Sequence, residues 1–125
     1  MIKYLVIAAL AAAGLFIFGF GGGKSSLLSY EELQAGLAKK DNFVLLDVRT
    51  PEEFAEGHIA GAVLLPYDQV EQKAASMLPD IEKSIVVYCR SGRRSAIAVE
   101  SLRGLGYKNV RDFGGISRWQ GKLER

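Results

Sequence analysis

Apolar residues fall in short blocks along this chain, each closed by a charged or turn-forming residue. The longest block runs from Tyr4 to Phe20 without a charge and ends in Gly21-Gly22-Gly23-Lys24. After it, Phe43-Val44-Leu45-Leu46-Asp47-Val48, Ala62-Val63-Leu64-Leu65 and Ile85-Val86-Val87-Tyr88 are nearly unbroken apolar runs, the pattern of strands covered on both faces. Ser26-Leu27-Leu28 reads as a short first strand, and Asn109-Val110-Arg111-Asp112-Phe113 as a last one, after which Gly114-Gly115 turns into a short helix carrying Trp119. Helix starts sit between these runs. Ser29 with Glu32 makes a capping box and opens a helix to about Lys39; Thr50 with Glu53 makes another, with Pro51 at the first helical position and a stop at Gly57. Asp68 with Glu71 predicts a third helix to about Leu78, before the Pro79-Asp80 turn. In the segment from Ser95 to Leu105, Ala98, Val99, Leu102 and Leu105 share one helical face, and Gly106 closes it. Strands alternating with helices predict an α/β fold, a parallel sheet with helices on both faces.

The block from Tyr4 to Phe20 stands apart from that alternation. It is close to the roughly 17-residue minimum of a membrane-spanning helix and longer than the usual core of a secretory signal. Residues 1–23 therefore read as a membrane anchor or a signal segment, and 24–125 as one domain. Cleavage after Ala11-Ala12-Ala13 would leave Gly14-Leu15-Phe16-Ile17-Phe18 as a greasy terminus, which favours an uncleaved anchor over a soluble exported form. Lys3 and the terminal amine against Lys24 weakly place the domain outside the cytoplasm, in the periplasm if the source is bacterial.

The charge balance narrows the partners. Sixteen Lys and Arg against 14 Asp and Glu leave a net charge of +2, which argues against a general nucleic-acid binder. Three arginines, Arg90, Arg93 and Arg94, crowd beside Cys89, so the basic charge is local and suits a small anion. One cysteine excludes an intramolecular disulfide and a cysteine-rich zinc site; with His58 the lone histidine, no metal or other cofactor is implied. A monomer is expected.

Cys89 carries the candidate chemistry. It follows the Ile85 strand and precedes a helix, so it lies at a strand end, where open α/β sheets bind ligands. Unpaired N–H groups at the helix start and the three arginines favour a thiolate, the nucleophilic form. Gly92 gives the loop backbone freedom to curl its amides toward the sulfur. Arg93 and Arg94 are expected to face the substrate and Arg90 to sit at the rim, with Ser91, Gly92 and Ser95 completing the loop. Asp47 and Arg49 end their strand on the same side of the sheet. Asp47 could orient a loop arginine, but a structural ion pair, such as Arg49 with Glu53, is the preferred reading. His58, after a helix-ending glycine, reads as hydrogen-bonded structure, since an ionised thiol needs no base. Trp119 reads as packing under the last loop.

Leu45-Leu46-Asp47-Val48-Arg49-Thr50-Pro51-Glu52-Glu53-Phe54 followed by Gly57-His58-Ile59-Ala60-Gly61-Ala62 resembles the opening signature of the rhodanese-like domain. Cys89-Arg90-Ser91-Gly92-Arg93-Arg94-Ser95 is similar to that family's active-site loop, and Gly114-Gly115-Ile116 with Trp119 to its closing signature. The three motifs stand in order over about Ser26 to Lys122. The resemblance implies a sulfurtransferase. Its cysteine takes a sulfane sulfur from a donor such as thiosulfate, holds it as a persulfide and passes it to a thiophilic acceptor, cyanide or a thiol, including a protein thiol. A phosphatase is the nearest enzyme alternative, but related folds cradle phosphate with Cys-x5-Arg, and here the sixth residue after Cys89 is Ser95. Another class is a membrane-tethered sulfur carrier or redox sensor without free turnover; a sensor usually has a nearby resolving cysteine, and this chain has none. An inactive scaffold of the family would typically have lost the cysteine.

Overall fold

The computed structural model describes residues 26–125. The anchor or signal expected over residues 1–23 lies outside them, and among the described residues no helix is long and apolar enough to cross a membrane. The order of elements is α1 (Tyr30–Ala38), β1 (Phe43–Asp47), α2 (Pro51–Glu56), β2 (Val63–Leu64), a 3-10 turn (Tyr67–Gln69), α3 (Val70–Met77), β3 (Ser84–Cys89), α4 (Arg93–Gly104), β4 (Asn109–Gly115) and a 3-10 turn (Ile116–Arg118). The strands form one sheet in the order β2-β1-β3-β4, every pairing parallel. β3 is central and buried along its whole length, as its continuous apolar run requires.

The alternation of β3 divides the core. Ile85, Val87 and Cys89 point to one face and pack with Leu46, Val70, Ala74, Ala98, Val99 and Leu102, so α3 and α4 cover it. Val86 and Tyr88 point to the other, among Leu28, Leu33, Leu45, Ile59 and Phe113, where α1 lies. Both predicted capping boxes form. Ser29 accepts from Glu32 N and Thr50 from Glu53 N, while each glutamate reaches back to the cap residue's N–H.

Several expected boundaries move, each for a local reason. Ser26-Leu27-Leu28 is not a strand. Leu28 donates its N–H to Asp112 O at 2.9 Å and is buried, but the segment stays irregular. The Ala62 run yields a two-residue edge strand rather than a buried one, with Val63 exposed and Leu65 taking the core position beyond it. Asp68 caps no helix. Pro66 fixes an extended entry (φ −54°), a 3-10 turn follows, and α3 begins at Val70 behind Gln69 with no side-chain cap bond. Leu105 is exposed because α4 has already ended. Gly106, at φ +103°, donates to Arg103 O and Tyr107 N–H donates to Leu102 O, a Schellman reversal that puts Tyr107 in the core in place of Leu105. The Tyr107 hydroxyl then lies 2.5 Å from Leu78 O, just past the end of α3, and 3.1 Å from Ala74 O, which already accepts from Leu78 N–H.

Gly114-Gly115 belongs to β4 and not to a turn. Val87 faces Asp112 but Tyr88 faces Gly114, so the register slips by one residue at Phe113. Gly114 takes φ +91° in that slip, a conformation for which glycine is the default. The slip brings Gly115 opposite Cys89.

Candidate functional site

The site is built on the C-terminal end of β3. Cys89 ends the strand, Arg90 and Ser91 stand exposed in the connection, and Gly92 occupies the N-cap of α4 at φ +109°. Nothing lies within 4 Å of where a Cβ on Gly92 would sit, so glycine is required there for its dihedral and not for space. That dihedral turns the Gly92 N–H back onto Cys89 Sγ at 3.0 Å. A backbone donor fixed on the sulfur favours negative charge there.

The loop is held from three directions. From the helix side, Ser95 is buried and donates its hydroxyl to Gly92 O at 3.1 Å. From the sheet side, Gly115 lies so close that a Cβ would come within 2.7 Å of Arg90 O and 3.1 Å of Ser91 Cα. From α2, Glu53 takes Arg94 in a two-pronged ion pair, Nη1 to Oε1 at 2.9 Å and Nη2 to Oε2 at 3.0 Å. Arg94 holds Glu53 down from 4.5 to about 2, opposed by burial and helped by the Thr50 amide. Glu53 in turn raises Arg94 above its ordinary value; burial opposes, and the Cys89 sulfur and Tyr67 phenol add lesser attractions.

These contacts sort the expected site residues. Cys89, Gly92, Arg94 and Ser95 come together. Arg90, Ser91 and Arg93 are exposed, while the Cys89 sulfur is buried. Arg94 was expected to face the substrate with Arg93, but both arms of its guanidinium fork are engaged by Glu53. Ser95 is a strut beneath the loop.

Asp47 orients no loop arginine. The strand alternation sends it and Tyr88 to the face opposite Cys89. There Asp47 accepts from Arg49 Nε at 2.9 Å, from Arg49 Nη2 at 2.6 Å and from the Tyr88 hydroxyl at 2.8 Å. Arg49 also donates to Gly57 O at 2.7 Å, and Tyr88 accepts from Ile59 N–H. Burial raises the Tyr88 phenol above its ordinary value, with Asp47 adding to the rise, so it remains a donor. The preferred structural ion pair exists, with Asp47 as Arg49's partner and not Glu53. His58 is structural: its ring stacks on Phe54 at 3.7 Å, its Nδ1 lies 2.9 Å from Phe54 O, and its backbone pairs with Glu124. A carbonyl can only accept, so that nitrogen carries the proton. Trp119 packs edge-on against Tyr30 at 5.1 Å, as a packing residue would.

Two residues of the site escaped the reading of the sequence. Glu53 was read as a cap, and its six-residue helix gave no sign that it also reaches Arg94, 41 positions away. Gly115 was read as a turn glycine, although a Gly-Gly pair at a strand end is a signal of close backbone approach.

Fold and site together define an α/β domain with a cysteine at a strand end, cupped by the loop that opens the next helix. The rhodanese-like domain family matches residues 29–122, and the chain belongs to that family as a rhodanese-type enzyme. It is 38% identical over 71 residues to a thiosulfate sulfurtransferase of Escherichia coli, PspE, covering 57% of this chain and 68% of that protein. It superposes on an E. coli rhodanese solved with anions at a TM-score of 0.62 and 33% identity, over 66% of this chain and 96% of that one. The human single-domain sulfurtransferase TSTD1 gives 0.64 and 32%, over 74% and 91%.

Proposed function

We propose that this sulfurtransferase moves a sulfane sulfur through a persulfide on Cys89. The thiolate of Cys89 attacks the outer sulfur of a donor such as thiosulfate. An S–S bond forms on Sγ, the donor's own S–S bond breaks, and sulfite leaves with the electron pair. An acceptor, cyanide or a thiolate, then attacks the outer sulfur of the persulfide and the pair returns to Sγ. The observation that carries the reading is the Gly92 N–H donated to Cys89 Sγ at 3.0 Å in a loop flanked by arginines. One device stabilises the anionic sulfur before and after transfer. The anions in the E. coli rhodanese and the thiosulfate chemistry named for PspE support an anionic donor. Arg90 and Arg93 are the donor's first contacts, and Arg94 is a positioning residue for the loop.

Intact mass spectrometry tests this directly. After thiosulfate, the wild type gains the mass of one sulfur atom and loses it on addition of cyanide. Cys89→Ser gains none and shows no turnover while keeping its fold. Turnover of that variant at the wild-type rate would sink the assignment. The same spectrum reads the N-terminus, which bears on the further proposal that residues 1–23 tether the domain to a membrane, outside the cytoplasm. A soluble protein starting near Gly21 to Lys24 would make that segment a cleaved signal.

A further inference from the structure

Beside the site lies a groove that the transfer reaction as described does not use. It encloses about 230 Å³ between the Tyr67 turn, α3 and α4, and is lined by Tyr67, Asp68, Glu71, Gln72, Ile97 and Ser101. Arg93, Ile97 and Ser101 recur at every fourth residue, so they share one face of α4. The groove therefore runs down the helix from the loop that holds Cys89. At 1.5 Å per residue, Ile97 lies about 6 Å along the axis from Arg93, and Ser101 about 12 Å. Tyr67, one of the lining residues, lies near enough to Arg94 to add a lesser attraction to that guanidinium.

The two ends differ in sign. The mouth carries Arg90 and Arg93, and the groove carries the exposed carboxylates of Asp68 and Glu71 beside the exposed Ile97. An anionic donor is drawn to the mouth and repelled from the groove, so the groove does not serve the donor. What fits both ends is an acceptor with a thiolate at one end and positive charge at the other. Two or three extended residues, at about 3.3–3.6 Å each, span the separation.

We propose that this groove selects the acceptor: a peptide segment of a protein thiol, with basic side chains two to three residues from its cysteine. Asp68 and Glu71 hold the basic side chains, the aliphatic part of a lysine covers Ile97, and the acceptor's sulfur lies at the mouth. The inference rests on the persulfide reading above. Its chemistry is the second half-reaction: the acceptor thiolate bonds to the outer sulfur, the bond from that sulfur to Cys89 Sγ breaks, and the pair stays on Sγ.

The test uses the full chain, charged with sulfur from thiosulfate, and two acetylated, amidated probe peptides, Cys-Gly-Lys-Lys and Cys-Gly-Glu-Glu, with cyanide as the uncharged-groove control. The lysine peptide should be used at least about fivefold more efficiently than the glutamate peptide at low salt, the preference shrinking as salt is raised. D68K/E71K should reverse the preference and D68N/E71Q should erase it, both with kcat for thiosulfate–cyanide turnover unchanged at saturating thiosulfate. Equal use of the two peptides by the wild type, or a loss in D68K/E71K shared equally by both peptides and cyanide, overturns the groove. A wild type that forms no persulfide overturns the parent reading instead, and the cyanide control separates the two failures.

Discussion

Two ion pairs grow from the same end of β1, and they are made differently. In Asp47–Arg49 the side chains are 0% and 7% exposed, two residues apart in sequence, and tied further to Tyr88 and Gly57. In Glu53–Arg94 they are 20% and 18% exposed, 41 residues apart, and the glutamate also caps α2. The first lies on the sheet face away from Cys89 and joins β1, β3 and the Ile59 segment. The second lies across the loop and ties the start of α4 to α2. A buried charge has no alternative partner, so removing its counter-ion strands it. A partly exposed charge falls back on water, so removing its counter-ion releases a loop without unfolding the protein. The fold keeps its rigid pair behind the site and its adjustable pair in front.

Breaking the rigid pair should have the largest effect. Asp47→Ala leaves Arg49 buried without its carboxylate and Tyr88 without its acceptor. The expected loss is about 3–5 kcal/mol, read as a lowered urea midpoint. A loss under about 1 kcal/mol would show that water reaches Arg49 and that the two pairs are alike.

Gly115→Ala comes next and sharpens the comparison, because it moves the loop while touching neither pair. The new methyl meets Arg90 O at 2.7 Å, and backbone there cannot swing aside as a side-chain tip could. The loop must shift relative to Cys89. A displacement of about 1 Å at a reacting centre costs on the order of 10²-fold, so sulfur transfer should fall by about that factor. The Cys89 persulfide should also form more slowly in the mass-spectrometric assay.

Glu53→Gln should do less. Glutamine can keep the capping box, so the change isolates the charge. Stability should drop by less than about 1 kcal/mol, as for a partly exposed pair. Activity should respond in the opposite sense to Gly115→Ala. With one negative charge gone beside Arg94, the mouth becomes more positive, and the KM for thiosulfate should fall about two- to fivefold at low salt, less at high salt. An unchanged KM, with kcat reduced, would mean that Glu53 acts through loop position alone.

How much of this was legible in the sequence follows from how far each feature reaches along the chain. The alternation of blocks gave the parallel α/β order, because a strand buried on both faces has to be continuously apolar. Ser29–Glu32 and Thr50–Glu53 were legible because a capping box is complete within four residues. The Cys89 loop was legible for the same reason: strand, thiol, glycine and arginines are contiguous. Asp68–Glu71 has the same spacing and caps nothing, since Pro66 and the 3-10 turn set the entry to α3, and spacing alone cannot report backbone geometry. The face that Asp47 points to depends on one residue of alternation, and the Ala62 run could not show that it becomes an edge. Glu53–Arg94 and Gly115–Arg90 are contacts between distant segments, brought together by the β1-β3 pairing and by the slip at Phe113.

The smallest expected effect is a pH dependence carried by the adjustable pair. Glu53 titrates near 4.5 when unpaired and near 2 when folded against Arg94. A carboxylate lowered on folding binds fewer protons in the native than in the unfolded state, so its contribution is complete above 4.5 and is lost as pH falls from there through about 2. Arg94 keeps its charge throughout, so the whole dependence belongs to Glu53. The stability difference between wild type and Glu53→Gln should therefore be flat from pH 7 to 5, shrink below 4.5 and vanish near 2. Solvent screening of a partly exposed pair holds its plateau below about 1 kcal/mol, so most of the loss falls just below 4.5. Urea midpoints of the two proteins, measured in parallel at each pH, cancel the titration of every other carboxylate common to both. A difference that persists unchanged at pH 2 would mean that Glu53 is held by its Thr50 contacts and not by the charge of Arg94.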